Sequence, residues 1–166
     1  MRTEEELLLL LRKAKESNDE KILKQFQKLG RDERQQVINY RRYHQWLECG
    51  YEGEISFDKY GWCSNDIPAS DIEKIELWHN DNTDNYIEVA QLLNGKWVNG
   101  CFYILTESGC AYGCSIWGEK YNTRLEALDS VIKRITENIQ CGTNADKKHL
   151  ADMKKLRLEV RQLSLF

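Results

Sequence analysis

The residues of this chain best suited to covalent or metal chemistry are its three histidines, its six cysteines and the aspartates of its polar middle section. His44, His79 and His149 stand far apart, and no nucleophile motif surrounds any of them. Asp58, Asp66, Asp71, Asp81 and Asp84 could gather a divalent ion, because hard cations take carboxylate oxygens. Their spacing matches neither an EF-hand loop nor a nuclease triad, and aspartate is also a common turn residue. No glycine-rich loop follows a strand, so no phosphate cradle is signalled. The closest cysteines are Cys110 and Cys114, and a zinc knuckle requires a second close Cys/His pair. Cys63, His79 and Cys141 would join them only through tertiary placement. Nothing signals secretion, so Cys49, Cys63, Cys101, Cys110, Cys114 and Cys141 are expected as reduced thiols. No catalytic residue, metal ligand or cofactor is assigned.

Recognition chemistry is better represented. The chain ends in Gln162, Leu163, Ser164, Leu165 and Phe166, a mostly apolar tail on an otherwise polar protein. Such an end is expected either to fold onto the chain's own core or to be offered to a partner. The string resembles the pentapeptide Gln-Leu-(Ser/Asp)-Leu-Phe with which bacterial replication and repair proteins dock on the DNA polymerase sliding clamp. At average residue usage it arises roughly once in half a million windows. The resemblance covers these residues alone. It implies an extended segment entering an apolar pocket of the clamp, with Leu165 and Phe166 in the deep site. Leu163 would fill a shallower site, and Gln162 would hydrogen-bond at the rim. Three large apolar side chains contribute about 1.5–3 kcal/mol each on burial. After ordering costs, a single contact of about micromolar strength is expected.

Two basic stretches bear on nucleic acid. Arg31, Arg34, Arg41 and Arg42 are interleaved with Tyr40, Tyr43, His44 and Trp46, and such groups can grip phosphates and stack on bases. Asp32 and Glu33 dilute that charge, and a solvated helix with core aromatics explains the same pattern. Near the end, Lys147, Lys148, Lys154, Lys155, Arg157 and Arg161 could meet DNA threading a clamp or could simply keep a helix soluble. The net charge of −3 argues against a general nucleic-acid coat, so any DNA contact is expected to be weak.

The elements that must position these residues follow from periodicity. Residues 2–16 read as a leucine-rich amphipathic helix. Ser17 with Glu20 reads as a capping box for a second helix carrying Ile22, Phe26 and Leu29, with Gly30 as its stop. Asp32 with Gln35 starts a third, whose face is Val37, Tyr40, His44 and Leu47. From 51 the period shifts towards two. Ile55 and Phe57 alternate, then Ile75 and Leu77, before a polar turn from His79 to Asn85. Tyr86 to Leu93, Lys96 to Thr106 and Cys110 to Trp117 read as strands, with Asn94-Gly95 as a hairpin signal. The loop Gly61 to Ser70, holding the sole proline Pro68, is a candidate boundary. Thr123 with Glu126 caps a helix whose seam is Leu125, Leu128, Ile132, Ile135 and Ile139, ended by Cys141-Gly142. A last helix, Ala145 to Arg161, carries Leu150, Met153, Leu156 and Val160 and leads into the pentapeptide.

These elements predict an α+β protein: a helical segment 1–50, an antiparallel meander of three or four strands covered by a helix over 51–142, and a C-terminal helix with an extended tail over 143–166. The stretch from Trp97 to Ile135 is similar in outline to small β-β-β-α modules such as double-stranded RNA-binding domains and antitoxin-type domains. Glu126 and Asp129 follow Arg124 where those binders carry lysines, so no RNA binding is implied. The apolar run Leu7 to Leu11 is too short to cross a bilayer, and Glu4, Glu5 and Glu6 exclude a secretory n-region. A cytosolic, non-enzymatic accessory protein of a bacterial, phage or mobile-element replication or repair system is expected, with the sliding clamp as partner. The alternatives are a regulatory, antitoxin-like module without a clamp role and a small metal-dependent nuclease guided by the clamp.

Overall fold

Among the residues described in the computed structural model, 3–80 and 83–163, there are five α-helices and one four-stranded antiparallel sheet. The protein is α+β. Contacts divide the chain into two compact units, Met1–Asp66 and Ile67–Phe166, so the division falls inside the proline-containing loop.

The first unit holds α1 (Glu4–Ser17), α2 (Glu20–Gln27) and α3 (Glu33–Glu48). Thr3 and Glu6 form a reciprocal capping box on α1. Ser17 is not the cap of α2. It ends α1 and donates its hydroxyl to the Lys13 carbonyl at 2.9 Å. The cap is Asp19, whose Oδ1 accepts from the backbone N–H groups of Lys21 and Ile22 at 3.1 and 3.2 Å. Asn18 makes the turn between the helices at φ +53°, a left-handed conformation that asparagine tolerates. α2 stops before Gly30. Asp32 caps α3 through the Gln35 N–H, as the spacing predicts. Leu7, Leu11, Phe26 and Val37 form the buried centre of these helices.

Residues 51–66 contain one isolated bridge, Phe57 to Cys63, instead of a strand. They are held by polar side chains of α3. Gln35 Nε2 donates to the carbonyls of Tyr60 and Gly61 at 3.1 and 3.0 Å. Asn39, fully buried, donates to the Gly61 carbonyl and accepts from the Cys63 N–H, both at 2.8 Å. The shift in composition at residue 51 therefore marks the end of helix within one unit.

The second unit contains β1 (Glu73–Asn80), β2 (Thr83–Gln91), β3 (Trp97–Ile104) and β4 (Gly109–Tyr112), paired in that order. In β1, Leu77 and Trp78 stand opposite the single residue Asn85, a bulge that lets both pack on the core side. Asn85 secures it, donating to the Trp78 carbonyl at 2.8 Å and accepting from the Ile104 N–H at 2.7 Å. Asn94 and Gly95 do serve a hairpin, in a connection one residue longer than the two-residue form. The Gly95 N–H donates to the Leu92 carbonyl at 2.9 Å, and Gly95 takes φ +82°.

After β4 the chain crosses back over Gly100. A Cβ at that position would come within 2.5 Å of the Cys114 nitrogen and 2.6 Å of the Gly113 carbonyl carbon. Both are backbone atoms that cannot swing aside. Gly100→Ala is therefore expected to destabilise the unit by about 1–3 kcal/mol, read from denaturant unfolding. An unchanged midpoint would show that the crossing is looser than described.

One face of the sheet presents Ile87, Val89, Cys101 and Tyr103 to α4 (Arg124–Cys141), with Met153 and Val160 of α5 (Leu150–Leu163) completing the core. On α4, Leu128, Ile132, Ile135 and Ile139 are fully buried and Leu125 is half-buried. Thr123 caps α4 by accepting from the Glu126 N–H at 3.1 Å. A short 3-10 turn, Asp146–His149, leads into α5. No helix among the described residues is long and apolar enough to cross a membrane.

Candidate functional site

α5 is tied to α4 by apolar packing and by one carboxylate. Asp129 on α4 accepts from Arg157 at 3.1 Å and from Arg161 at 2.8 Å. Burial would raise its pKa, but the hydrogen bonds and charges of Arg161 and Arg157 outweigh burial and hold it below the ordinary value. Val160 is the last residue of α5 described as buried, and Gln162 is exposed. Among the described residues, Val160 is thus the last buried side chain of α5 and Arg161 its last ion-paired one. Gln162 and Leu163 form the last turn of α5. Ser164, Leu165 and Phe166 lie outside the described residues. Leu158, one turn before Gln162 on the same side of the helix, is 62% exposed.

Several of the candidate nucleic-acid cations are already engaged. Arg41 meets Glu4 at 3.5 Å, Lys155 meets Glu159 at 3.7 Å, and Arg157 and Arg161 share Asp129. The Arg42 guanidinium lies 5.9 Å from the Trp62 ring centroid. Arg31, Arg34 and Lys154 are exposed, with no carboxylate at ion-pair distance among the described residues. The aromatics of α3 stack on neighbours in their own unit: Tyr40 on Phe26 at 4.9 Å, His44 on Tyr40 at 4.1 Å and Trp46 on Tyr51 at 5.6 Å. Rings engaged in this way offer less face to a base.

The cysteines form no disulfide. Cys101 is pushed up to about 12, mainly by burial and then by the neighbouring Cys110 thiol, which removes it as a thiolate nucleophile at neutral pH. Cys114 donates its thiol to the Val98 carbonyl at 3.7 Å. Asp58 is a turn residue, accepting from the N–H groups of Tyr60 and Trp62 at 2.8 and 2.9 Å. Asp81 lies outside the described residues. Among the described residues, no group of three or more His, Cys, Asp or Glu side chains is placed to hold a metal ion.

Two histidines that are distant in sequence line one cleft of about 330 Å³, together with Leu105, Thr106, Lys148 and Asp146. His79 Nδ1 lies 2.8 Å from Asp84 Oδ1, and His149 stacks on Trp78 with centroids 4.3 Å apart. The wall is rigid because Asp146 accepts from both Thr106 and Thr143. Thr106 donates its N–H and hydroxyl at 2.9 Å each, and Thr143 its N–H at 2.8 Å and hydroxyl at 2.7 Å. No sequence motif joins these histidines. The only local signal was the Asp84 carboxylate, five residues beyond His79 across a polar turn.

The hydrogen bonds that Asp146 accepts, that of the Thr106 N–H first, hold its carboxyl far below the usual value of 3.8. A depressed folded pKa contributes stability above the unfolded value, and that contribution fades as pH falls through it. Asp146→Asn is therefore expected to melt below the parent at neutral pH, with the gap narrowing towards about pH 2. A gap independent of pH would remove the carboxylate from this role.

Comparison with protein families, with characterised proteins and with solved structures finds no match to the chain.

Proposed function

We propose that this chain is a non-enzymatic accessory protein of a bacterial, phage or mobile-element DNA replication or repair system that docks on the sliding clamp through Gln162, Leu163, Ser164, Leu165 and Phe166. The pentapeptide carries the reading, and the end of α5 supports it. The string begins just past Val160 and Arg161, which among the described residues are the last buried and the last ion-paired side chains of the helix. An extended docking mode requires the turn at Gln162 and Leu163 to open. That opening costs little at a helix end, where the final carbonyls lack intrahelical partners. The stem up to Arg161 stays on α4, so it presents the peptide without itself unfolding.

Binding of a purified bacterial clamp to the full chain, and to a chain ending at Arg161, tests the reading by titration calorimetry. Saturable binding of about micromolar strength by the full chain alone is the expected result. Equal affinity of the two chains would end it.

A further inference from the structure

We propose that the cleft between the end of β1, the β3–β4 connection and the 3-10 turn before α5 binds a phosphate monoester. It is separate from the docking segment and uses none of its residues. The argument starts from His149, which is 8% exposed and stacked on Trp78. Its ring nitrogens make no hydrogen bond among the described residues, and Asp152 stands 4.0 Å from Nδ1, too far for one. An imidazole that lines a cleft without a hydrogen bond to a described protein group is open to a bound group.

His79 faces the same cleft from β1. Its Nδ1 lies 2.8 Å from Asp84 Oδ1, which orients the ring and leaves Nε2 for a ligand. Lys148 adds a full positive charge on the lining. Of the carboxylates near the cleft, Asp84 is hydrogen-bonded to His79 and Asp146 to Thr106 and Thr143, while the exposed Asp152 stands 4.0 Å from His149 Nδ1 and opposes an anion. The groups that can meet phosphate oxygens are the Lys148 ammonium and the two imidazoles. A metal ion is the weaker fit, because Lys148 opposes its charge and no group of three ligands is placed to hold one among the described residues. The Leu105 and Ala145 walls and the volume of about 330 Å³ leave room for an organic group beyond the phosphate itself. Burial, and then the Lys148 charge, lower the pKa of His149, and an incoming phosphate dianion opposes both.

The phosphate can belong to a free nucleotide or to the 5′ end of a nucleic-acid strand, and the two are separable. The full chain is titrated with adenosine 5′-monophosphate, adenosine, inorganic phosphate, and a single strand with or without a 5′-phosphate, while the histidine ring protons are followed by NMR. Saturable shifts of His79 and His149 with the monophosphate but not with adenosine are expected. His79→Gln and Lys148→Ala should each weaken binding by about tenfold or more with the melting temperature unchanged. His79 is exposed and Lys148 lies on the surface, so neither substitution threatens the fold. Tighter binding of the phosphorylated strand assigns a nucleic-acid end, and tighter binding of the mononucleotide assigns a small molecule. Shifts that are equal with adenosine, or absent with every phosphate, overturn the proposal. Zinc titrating both rings while phosphate does not overturns it as well.

Discussion

A chain carrying Leu165→Ala and Phe166→Ala together is expected to lose measurable binding to the purified clamp while melting at the parent temperature. Each truncation removes about 1.5–3 kcal/mol of apolar burial from a contact of about −8 kcal/mol, which moves the dissociation constant from micromolar into the millimolar range. Gln162→Ala should cost only about 0.5–1.5 kcal/mol, the net worth of one hydrogen bond. The melting temperature is expected to hold because, among the described residues, the last buried side chain of α5 is Val160, its last ion pair to α4 is that of Arg161, and Gln162 is exposed. Calorimetric titration reads the affinity and differential scanning reads the fold. Parent-like affinity in the double variant would remove the two residues from the contact. A lowered melting temperature would instead place them in the protein's own core.

Ile132→Ala is expected to destabilise the second unit by about 2–5 kcal/mol, the range for removing a large aliphatic side chain from a closed core. Ile132 is fully buried, packed in the cluster formed by α4, α5 and the sheet residues Ile87, Val89, Cys101 and Tyr103. Small domains have only about 5–15 kcal/mol in total, so the loss is large. Lys133→Ala, at an exposed neighbour paired with Glu137 at 3.9 Å, is the matched control and should stay within about 0.5 kcal/mol. Urea unfolding reads both. Equal midpoints for Ile132→Ala and the parent would contradict the packing of α4 on the sheet.

The parts of this fold that were legible in the sequence are those governed by local physics. The seam of α4 alternates at three and four residues because a helix turns every 3.6, and its Leu128, Ile132, Ile135 and Ile139 are buried together with Ala127 and Val131. Gly95 marks its turn because few other residues accept φ +82°. Ser17 and Asp19 show where local rules compete. Both can cap a helix, and the carboxylate took the position once Asn18 had turned the chain. In residues 51–66 the alternation of Ile55 and Phe57 leads to a single isolated bridge, Phe57 to Cys63. Their structure comes from Gln35 and Asn39, polar side chains of another element whose reach no periodicity reveals. The His79 and His149 cleft was hidden for the same reason, since the bulge and the 3-10 turn that bring the rings together leave no spacing signature. The terminal residues that resemble a clamp peptide stand in the sequence itself, while the support of α5 by Asp129 required the folded chain.

The strand order also bears on how the second unit forms. Each strand pairs with its neighbour in the chain, and segments 92–96 and 105–108 are the connections between β2, β3 and β4. Closing a loop costs entropy that grows with the logarithm of its length, so these hairpins zip at small cost before any distant segment must be found. α4 then lays its seam on the sheet. The contacts of α4 with β3 span 28 residues from Asn99 to Ala127 and 35 from Tyr103 to Asn138, and those of α5 with Asp129 span 28 to Arg157 and 32 to Arg161. Contact order therefore favours a hairpin nucleus, with docking of both helices as later events.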